Sequence, residues 1–373
     1  MKKTILFTLA LCVSTMAMSA DDDIASGLRN MKTIVPQTTN SFIASKVATL
    51  LRSKKDTEKM IGRSSIYFPI FDQMLEAYEL PADLKYITCL ETELDTRMVM
   101  GTSGATGIWQ LMSDVREEFG LRTDAVLDER FDLKRSSEAA LKDLKRMYKN
   151  YGNWELALAG YNCGAGRLGA AMKKSRSKDF SKMKKYLSAE TQQYVDKFVA
   201  FTYVMKNYKH HGLKPILPSL DKQCITAVTV RNYLSLESVA SVTGVSIDFI
   251  KELNPQFKEN YVPATDNGCN VYVPRRVRGA LEDYVSQPDG GTTAVKNFAP
   301  IVIDDNLPVL EEEINYYKTS YTVGENENFE TISQLLDVCK YNIVLWNNLS
   351  NDVVLTKGQE LTLYLPRVIA HRI

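Results

Sequence analysis

The chain has 373 residues, 45% hydrophobic and 24% charged, with a formal net charge of +1. The length allows two or three domains, and the composition is that of ordinary soluble globular protein. The balanced charge creates no global field for nucleic acid, which is not expected as a partner, so partners must be read from local patterns.

The first residues read as a secretory signal over 1–19. Lys2 and Lys3 form a basic start, residues 5–13 are apolar but too short to span a bilayer, and Ala17-Met-Ser19 supplies small residues for cleavage. Export to the periplasm or cell envelope follows, with an ordinary buried N-terminal helix as the alternative. Cys12 is preceded by bulky Leu11, which disfavours lipid attachment there. No later run is long and apolar enough for a membrane helix. Export permits disulfides among Cys89, Cys163, Cys224, Cys269 and Cys339, but an odd number cannot all pair. Cys224 and Cys269 form the best candidate pair, and Cys89 could meet Cys163; all five could equally be small buried apolar residues. With only His210, His211 and His371 and no Cys-x-x-Cys, no metal site is expected.

Residues 24–55 have mixed helical character. Over 59–78, Ile61, Phe68, Phe71, Leu75 and Tyr78 recur at helical spacing. Pro81 then opens a helix with Leu84, Ile87 and Leu90 on one side, ending near Glu91. Ser136 or Ser137 can cap a further helix whose buried face holds Ala140, Leu144 and Met147. Another runs from Trp154 through Leu158 to Tyr161, and one more covers 189–207 with Tyr194, Phe198 and Phe201 inside. Residues 24–212 therefore read as one all-α domain. Pro215 and Pro218 mark its end. A strand–helix–helix–strand pattern follows at 225–230, 236–243, 247–254 and 270–273, giving a module over 223–276. After a linker at 287–318, the pattern returns at 320–323, 329–336, 342–347 and 360–365, giving a second α+β module over 319–366.

Glu91 is the residue with most chemical meaning. It sits in the mostly apolar run Leu84-Lys-Tyr-Ile-Thr-Cys-Leu-Glu91. Burial disfavours the charged carboxylate, raises its pKa and lets it hold a proton near neutral pH, which is how a general acid for glycosidic bonds is built. Gly101, Gly104 and Gly107 follow, leaving room for a sugar chain to approach the backbone. Trp109 is a stacking face or, more in keeping with its surroundings, core; Gln110 can bond sugar hydroxyls and amides. Tyr161-Asn162 ends an apolar helix and offers a phenol and an amide, though a helix cap would explain it equally. Glu190 and Tyr194 lie four apart on one helical face. Gly164-Ala-Gly-Arg-Leu-Gly169 matches a dinucleotide fingerprint but follows a helix, so it is set aside. The basic run over 173–185 reads as a solvated helix surface, with binding of anionic wall polymers as the alternative.

These motifs in this order resemble the lytic transglycosylases of glycoside hydrolase family 23. The resemblance covers about residues 67–207 and rests on Leu80-Pro-Ala-Asp-Leu84, the Glu91 segment, Gly104-Ala-Thr-Gly-Ile-Trp-Gln-Leu-Met112, Asp128-Glu-Arg130, Ala159-Gly-Tyr-Asn-Cys-Gly164 and Glu190-Thr-Gln-Gln-Tyr194. Thr92 stands where the family usually has Ser, and Gly101 where another Ser is usual, with Ser103 a possible substitute. The C-terminal modules are similar to LysM modules, the second more clearly than the first. The whole plan is similar to the D group of membrane-bound lytic murein transglycosylases.

The resemblance implies a goose-type lysozyme-like catalytic domain with two βααβ modules. Glu91 becomes catalytic acid and then base, with Thr92, Gln110, Met112, Tyr161, Asn162, Glu190 and Tyr194 contacting substrate. It implies cleavage of peptidoglycan glycan strands at the MurNAc–GlcNAc bond with 1,6-anhydro ends, and no cofactor. The LysM-like modules would bind N-acetylglucosamine-containing wall polymer as tethers beyond a flexible linker, and a monomer is expected. The alternatives are a lysozyme-like muramidase and a wall-binding protein that does not cut.

Overall fold

A computed structural model describes residues 20–36, 40–96, 104–287, 315–350 and 353–367. The predicted signal segment, part of the glycine loop after Glu91 and nearly all of the predicted linker lie outside the described residues.

The helical part contains α1 (Ala20–Asn30), α2 (Ser41–Arg52), α3 (Lys54–Ala77), α4 (Tyr86–Thr92), α5 (Ser113–Glu118), α6 (Leu133–Tyr151), α7 (Trp154–Cys163), α8 (Ala165–Ser175), α9 (Phe180–Met183) and α10 (Ala189–Asn207). Their limits follow from caps. The Asn40 and Asn153 side chains accept from Ile43 N and Leu156 N, each at 2.9 Å, and Ser188 accepts from Thr191 N at 3.3 Å. The cap of α6 differs from the expected Ser136 or Ser137. Asp132 caps it, accepting from Lys134 N and Arg135 N at 2.9 Å, because a carboxylate there also meets the positive helix end. The two serines lie a turn further in, buried. Helix α10 runs through the middle of the helical core, packed on α2, α4 and α7.

A short helix α11 (Leu220–Gln223) leads into the first βααβ unit: β1 (Ile225–Val230), β2 (Leu234–Ser235), α12 (Leu236–Thr243), α13 (Ile247–Leu253), β3 (Tyr261–Val262) and β4 (Cys269–Pro274), followed by α14 (Arg278–Val285). Strands β1 and β4 pair antiparallel from Ile225↔Pro274 to Val230↔Cys269. That register rules out the expected Cys224–Cys269 disulfide. The two cysteines sit at opposite ends of the ladder, roughly 17–20 Å apart at ~3.4 Å per residue, against the ~4.4–6.8 Å between Cα atoms that a disulfide spans. All five described cysteines, Cys89 and Cys163 included, are free thiols.

The second unit has β5 (Tyr316–Thr322), α15 (Phe329–Leu336), α16 (Lys340–Trp346) and β6 (Glu360–Pro366), with β5 and β6 antiparallel. Each unit has its own apolar centre, Val239, Ile250 and Val271 in the first, Ile332, Ile343 and Leu363 in the second.

Neither unit stands apart from the helices. Leu127 of the helical part belongs to the first unit's core, while Ile225 and Tyr272 belong to the helical core. The second unit seats α16 on α3. Tyr341 hydroxyl lies 2.8 Å from Ser64 Oγ, and its ring packs edge-on against Phe68. Trp346 Nε1 donates to Gln223 Oε1 at 2.9 Å. The sequence suggested a unit tethered beyond a flexible linker; the structure docks it, because Tyr341 and Trp346 are partners for α3 and α11.

Candidate active site

Helix α4 ends in an unusual way. Glu93 and Leu94 follow it with φ of 51° and 60°, a left-handed pair without glycine. Such residues cost about 1–2 kcal/mol each. Leu94 is fully buried, and Arg63 donates to the Glu93 carbonyl and the Asp95 carboxylate, both at 3.2 Å. These contacts hold the turn and fix the direction in which the last turn of α4 projects Glu91.

Glu91 is mostly buried against α10. Burial pushes its carboxyl up to about 7; the Tyr194 phenol and Lys197 pull it down, and Glu190 pushes it up. Tyr194 donates to Glu91 Oε1 at 2.5 Å, and Glu91 accepts no second bond among the described residues. One oxygen is thus held by a buried phenol and the other is uncommitted.

The Tyr161-Asn162 pair arrives from the end of α7. Tyr161 donates to the Trp109 carbonyl at 2.7 Å. Burial pushes the phenols of Tyr161 and Tyr194 well above their ordinary range, so both stay protonated donors. Asn162 Nδ2 donates to Glu190 Oε1 at 3.2 Å, and its Oδ1 accepts from Thr191 Oγ1 at 2.7 Å. Thr191 stands in the Glu190-Thr-Gln-Gln-Tyr194 motif without a role assigned from sequence; here it sets which end of the Asn162 amide faces which way. The signal for it was Ser188 three residues earlier, whose Oγ lies 2.9 Å from Thr191 Oγ1.

On the facing loop, Thr106 and Leu111 form an antiparallel bridge around a tight turn. Gly107 is required there: a Cβ would lie 2.0 Å from the Arg130 carbonyl oxygen. Arg130, paired with Asp128 at 2.8 Å, also donates to the Gly104 carbonyl at 3.1 Å, so the Asp128-Glu-Arg130 motif clamps the glycine loop. Gln110 has φ of 49°, and its Nε2 donates to the Gly107 carbonyl at 2.8 Å, which leaves its side-chain oxygen and second N–H on offer. Met112 is exposed. Trp109 is core: it is fully buried, with Nε1 donating to Ser137 Oγ at 2.8 Å.

Glu91, Tyr161, Asn162, Glu190 and Tyr194 are thus joined by hydrogen bonds or by charge. Thr92 lies apart from them: it is buried, and its hydroxyl donates to the Thr88 carbonyl at 3.1 Å, because one residue past Glu91 turns a side chain about 100° around the helix and into the core.

Residues 70–184 match the model described as the transglycosylase SLT domain. The chain carries an SLT domain. Glu190 and Tyr194 lie just past the matched stretch. Residues 225–289 match the LysM-like domain of lytic transglycosylase MltD, so the unit that looked more divergent in sequence is the one recognised. Membrane-bound lytic murein transglycosylase D of Escherichia coli K12 is 28% identical over 328 residues, 87% of this chain and 69% of that protein. A putative tributyltin chloride resistance protein of Alteromonas sp. M-1 is 27% identical over 135 residues, 36% of this chain and 65% of that protein. Two solved structures are 20% identical. An inactive mutant of the lytic transglycosylase Slt from Pseudomonas aeruginosa has a TM-score of 0.33, covering 47% of this chain and 31% of that one. The 70-kDa soluble lytic transglycosylase bound to bulgecin A has a TM-score of 0.36, covering 47% and 29%. The chain spans about a third of those solved chains. No helix among the described residues of the SLT-domain chain is long and apolar enough to cross a membrane.

Proposed function

We propose that this chain is a peptidoglycan lytic transglycosylase in which Glu91 serves as acid and then as base. The observation that carries this is a mostly buried carboxyl that burial pushes up to about 7, that takes one phenol donor and no second bond among the described residues, and whose charge acts on Tyr161. Protonated Glu91 gives its proton to the oxygen linking N-acetylmuramic acid to N-acetylglucosamine, and an oxocarbenium-like state forms at the muramyl C1. Ionised Glu91 then takes the proton of the same sugar's C6 hydroxyl, whose oxygen closes on C1 as a 1,6-anhydro ring. The carboxyl ends as it began, and no water is consumed. Asn162, oriented by Thr191, and Gln110 hold the substrate's amides and hydroxyls; Met112 covers an apolar face of a sugar.

Hydrolysis needs a second carboxylate across the cleft. Glu93 is exposed within the αL turn, Asp95 pairs with Arg63, and residues 97–103 contain no acid. Among the described residues, Glu190 is the acid that acts electrically on Glu91, and it is bonded by Asn162. This favours anhydro-ring closure over attack by water.

Similarity to a protein named as membrane-bound supports a cell-envelope location, and residues 1–19 would direct export. The second βααβ unit would be a further LysM-like module, so that two modules grip wall polymer beside the catalytic domain. The deciding experiment is mass spectrometry of fragments released from purified peptidoglycan. Ends of anhydro mass are expected; ends heavier by one water would make the chain a muramidase, and release of no fragments would leave a binding protein.

A further inference from the structure

Asp23, His210 and His211 take no part in that reaction, yet they converge from opposite ends of the helical part. Asp23 lies in the first turn of α1, and the histidines follow the C-terminal end of α10, 187 residues away in the case of His210. His210 Nε2 is 2.9 and 3.0 Å from the two Asp23 oxygens, and His211 Nδ1 is 3.8 Å from Asp23 Oδ2. One donor atom from each residue lies within 4.8 Å of the others. Ligands held ~2.0–2.1 Å from a tetrahedral ion stand roughly 3.3 Å from one another, so only small side-chain adjustments are needed.

The surroundings prepare the donors. His211 is largely buried, and its Nε2 lies 2.9 Å from the Tyr203 hydroxyl. An Nε2–H donated to that hydroxyl leaves the Nδ1 lone pair on the side of Asp23, the outer-shell arrangement that fixes the tautomer of metal-binding histidines. Helix α1 rides directly over this phenol, since a Cβ at Gly27 would lie 2.4 Å from the Tyr203 hydroxyl. His210 is exposed on its outer side, where solvent can complete a coordination shell.

We propose that Asp23, His210 and His211 form a binding site for one borderline first-row divalent cation, with Zn²⁺ as the fitting probe, that staples α1 to the end of α10. Two imidazole nitrogens and one carboxylate suit zinc; calcium and magnesium take oxygen ligands. Sequence spacing hides this site because the third donor is contributed by the fold.

The test is calorimetric titration of the metal-free full-length chain with Zn²⁺, paired with thermal melting. Wild type should bind one equivalent and melt higher with the ion. Asp23→Asn and His210→Gln should each weaken binding at least about tenfold, and Tyr203→Phe, which keeps the packing and removes the outer-shell oxygen, about tenfold. No heat and no melting shift in wild type would overturn the site. So would an undiminished response in His210→Gln, an exposed change that leaves the core intact, since the ion would then be held elsewhere, for instance by the free thiols.

Discussion

Glu91 and Asp132 both lose water on folding, and burial pushes both carboxyls upward. Their partners differ. Asp132 accepts from Lys134 N and Arg135 N at 2.9 Å, from the Tyr272 hydroxyl at 2.8 Å and from Asn270 Nδ2 at 3.0 Å. It caps α6 and joins the helical part to the first βααβ unit, with four donor groups gathered on its carboxylate. Glu91 has one donor, and its other oxygen accepts no bond among the described residues. Burial alone therefore does not mark a proton donor. A carboxyl with raised pKa and a single donor is available for chemistry, and one tied by several donors from two parts of the chain holds structure.

Exchanging the two roles by mutation is the sharpest way to break this contrast. Glu91→Gln keeps shape and loses the proton, so cleavage of purified glycan should fall about 10²–10⁴-fold with pelleting on peptidoglycan unchanged. Near-normal turnover would move the acid elsewhere. Asp132→Ala should do the reverse, lowering stability in urea by about 2–4 kcal/mol because two amides and the side chains of Asn270 and Tyr272 lose an acceptor. Turnover well below the melting temperature should hardly change; a large kinetic defect in a stable variant would tie Asp132 to catalysis.

A subtler contrast is in pH. The folded pKa of Glu91, about 7, lies above its ordinary 4.5, so its ionisation opposes folding. The stability it contributes is full below about 4.5 and is lost as pH rises through 7. Glu91→Gln should therefore be more stable than wild type by up to about 2–3 kcal/mol at pH 8 and nearly equal at pH 4, measured by urea unfolding. A gap that stays constant with pH would contradict the burial argument. The smallest effect is expected from Tyr194→Phe. Its phenol pulls the Glu91 pKa down, so its loss should shift the alkaline limb of the rate profile to higher pH while reducing turnover about tenfold. An unmoved limb would mean that the bond at 2.5 Å does not act on the reacting acid.

Much of this site was legible before any coordinates. The helices from Trp154 to Tyr161 and over 189–207 follow from apolar spacing, the first running two residues further in the structure, and Glu91, Tyr161, Asn162, Glu190 and Tyr194 stand out as polar groups on apolar helices. What sequence could not give was direction. Thr92 turns inward though its neighbour faces α10, and Asp132 rather than a nearby serine caps α6. Strand register separates Cys224 from Cys269, and Tyr341 serves α3 as much as its own unit. Each depends on where a second element lies, which no local pattern encodes. Asp23 and the two histidines are the extreme case, a cluster with no counterpart in sequence spacing.

The most direct test is the ¹³C titration of the Glu91 carboxyl in glutamate-labelled protein, with Glu91→Gln supplying the assignment. A midpoint of about 7 is expected in the folded protein. A midpoint near 4.5, the value of a solvated glutamate, would mean the group is ionised at neutral pH and cannot deliver the proton on which the reaction depends.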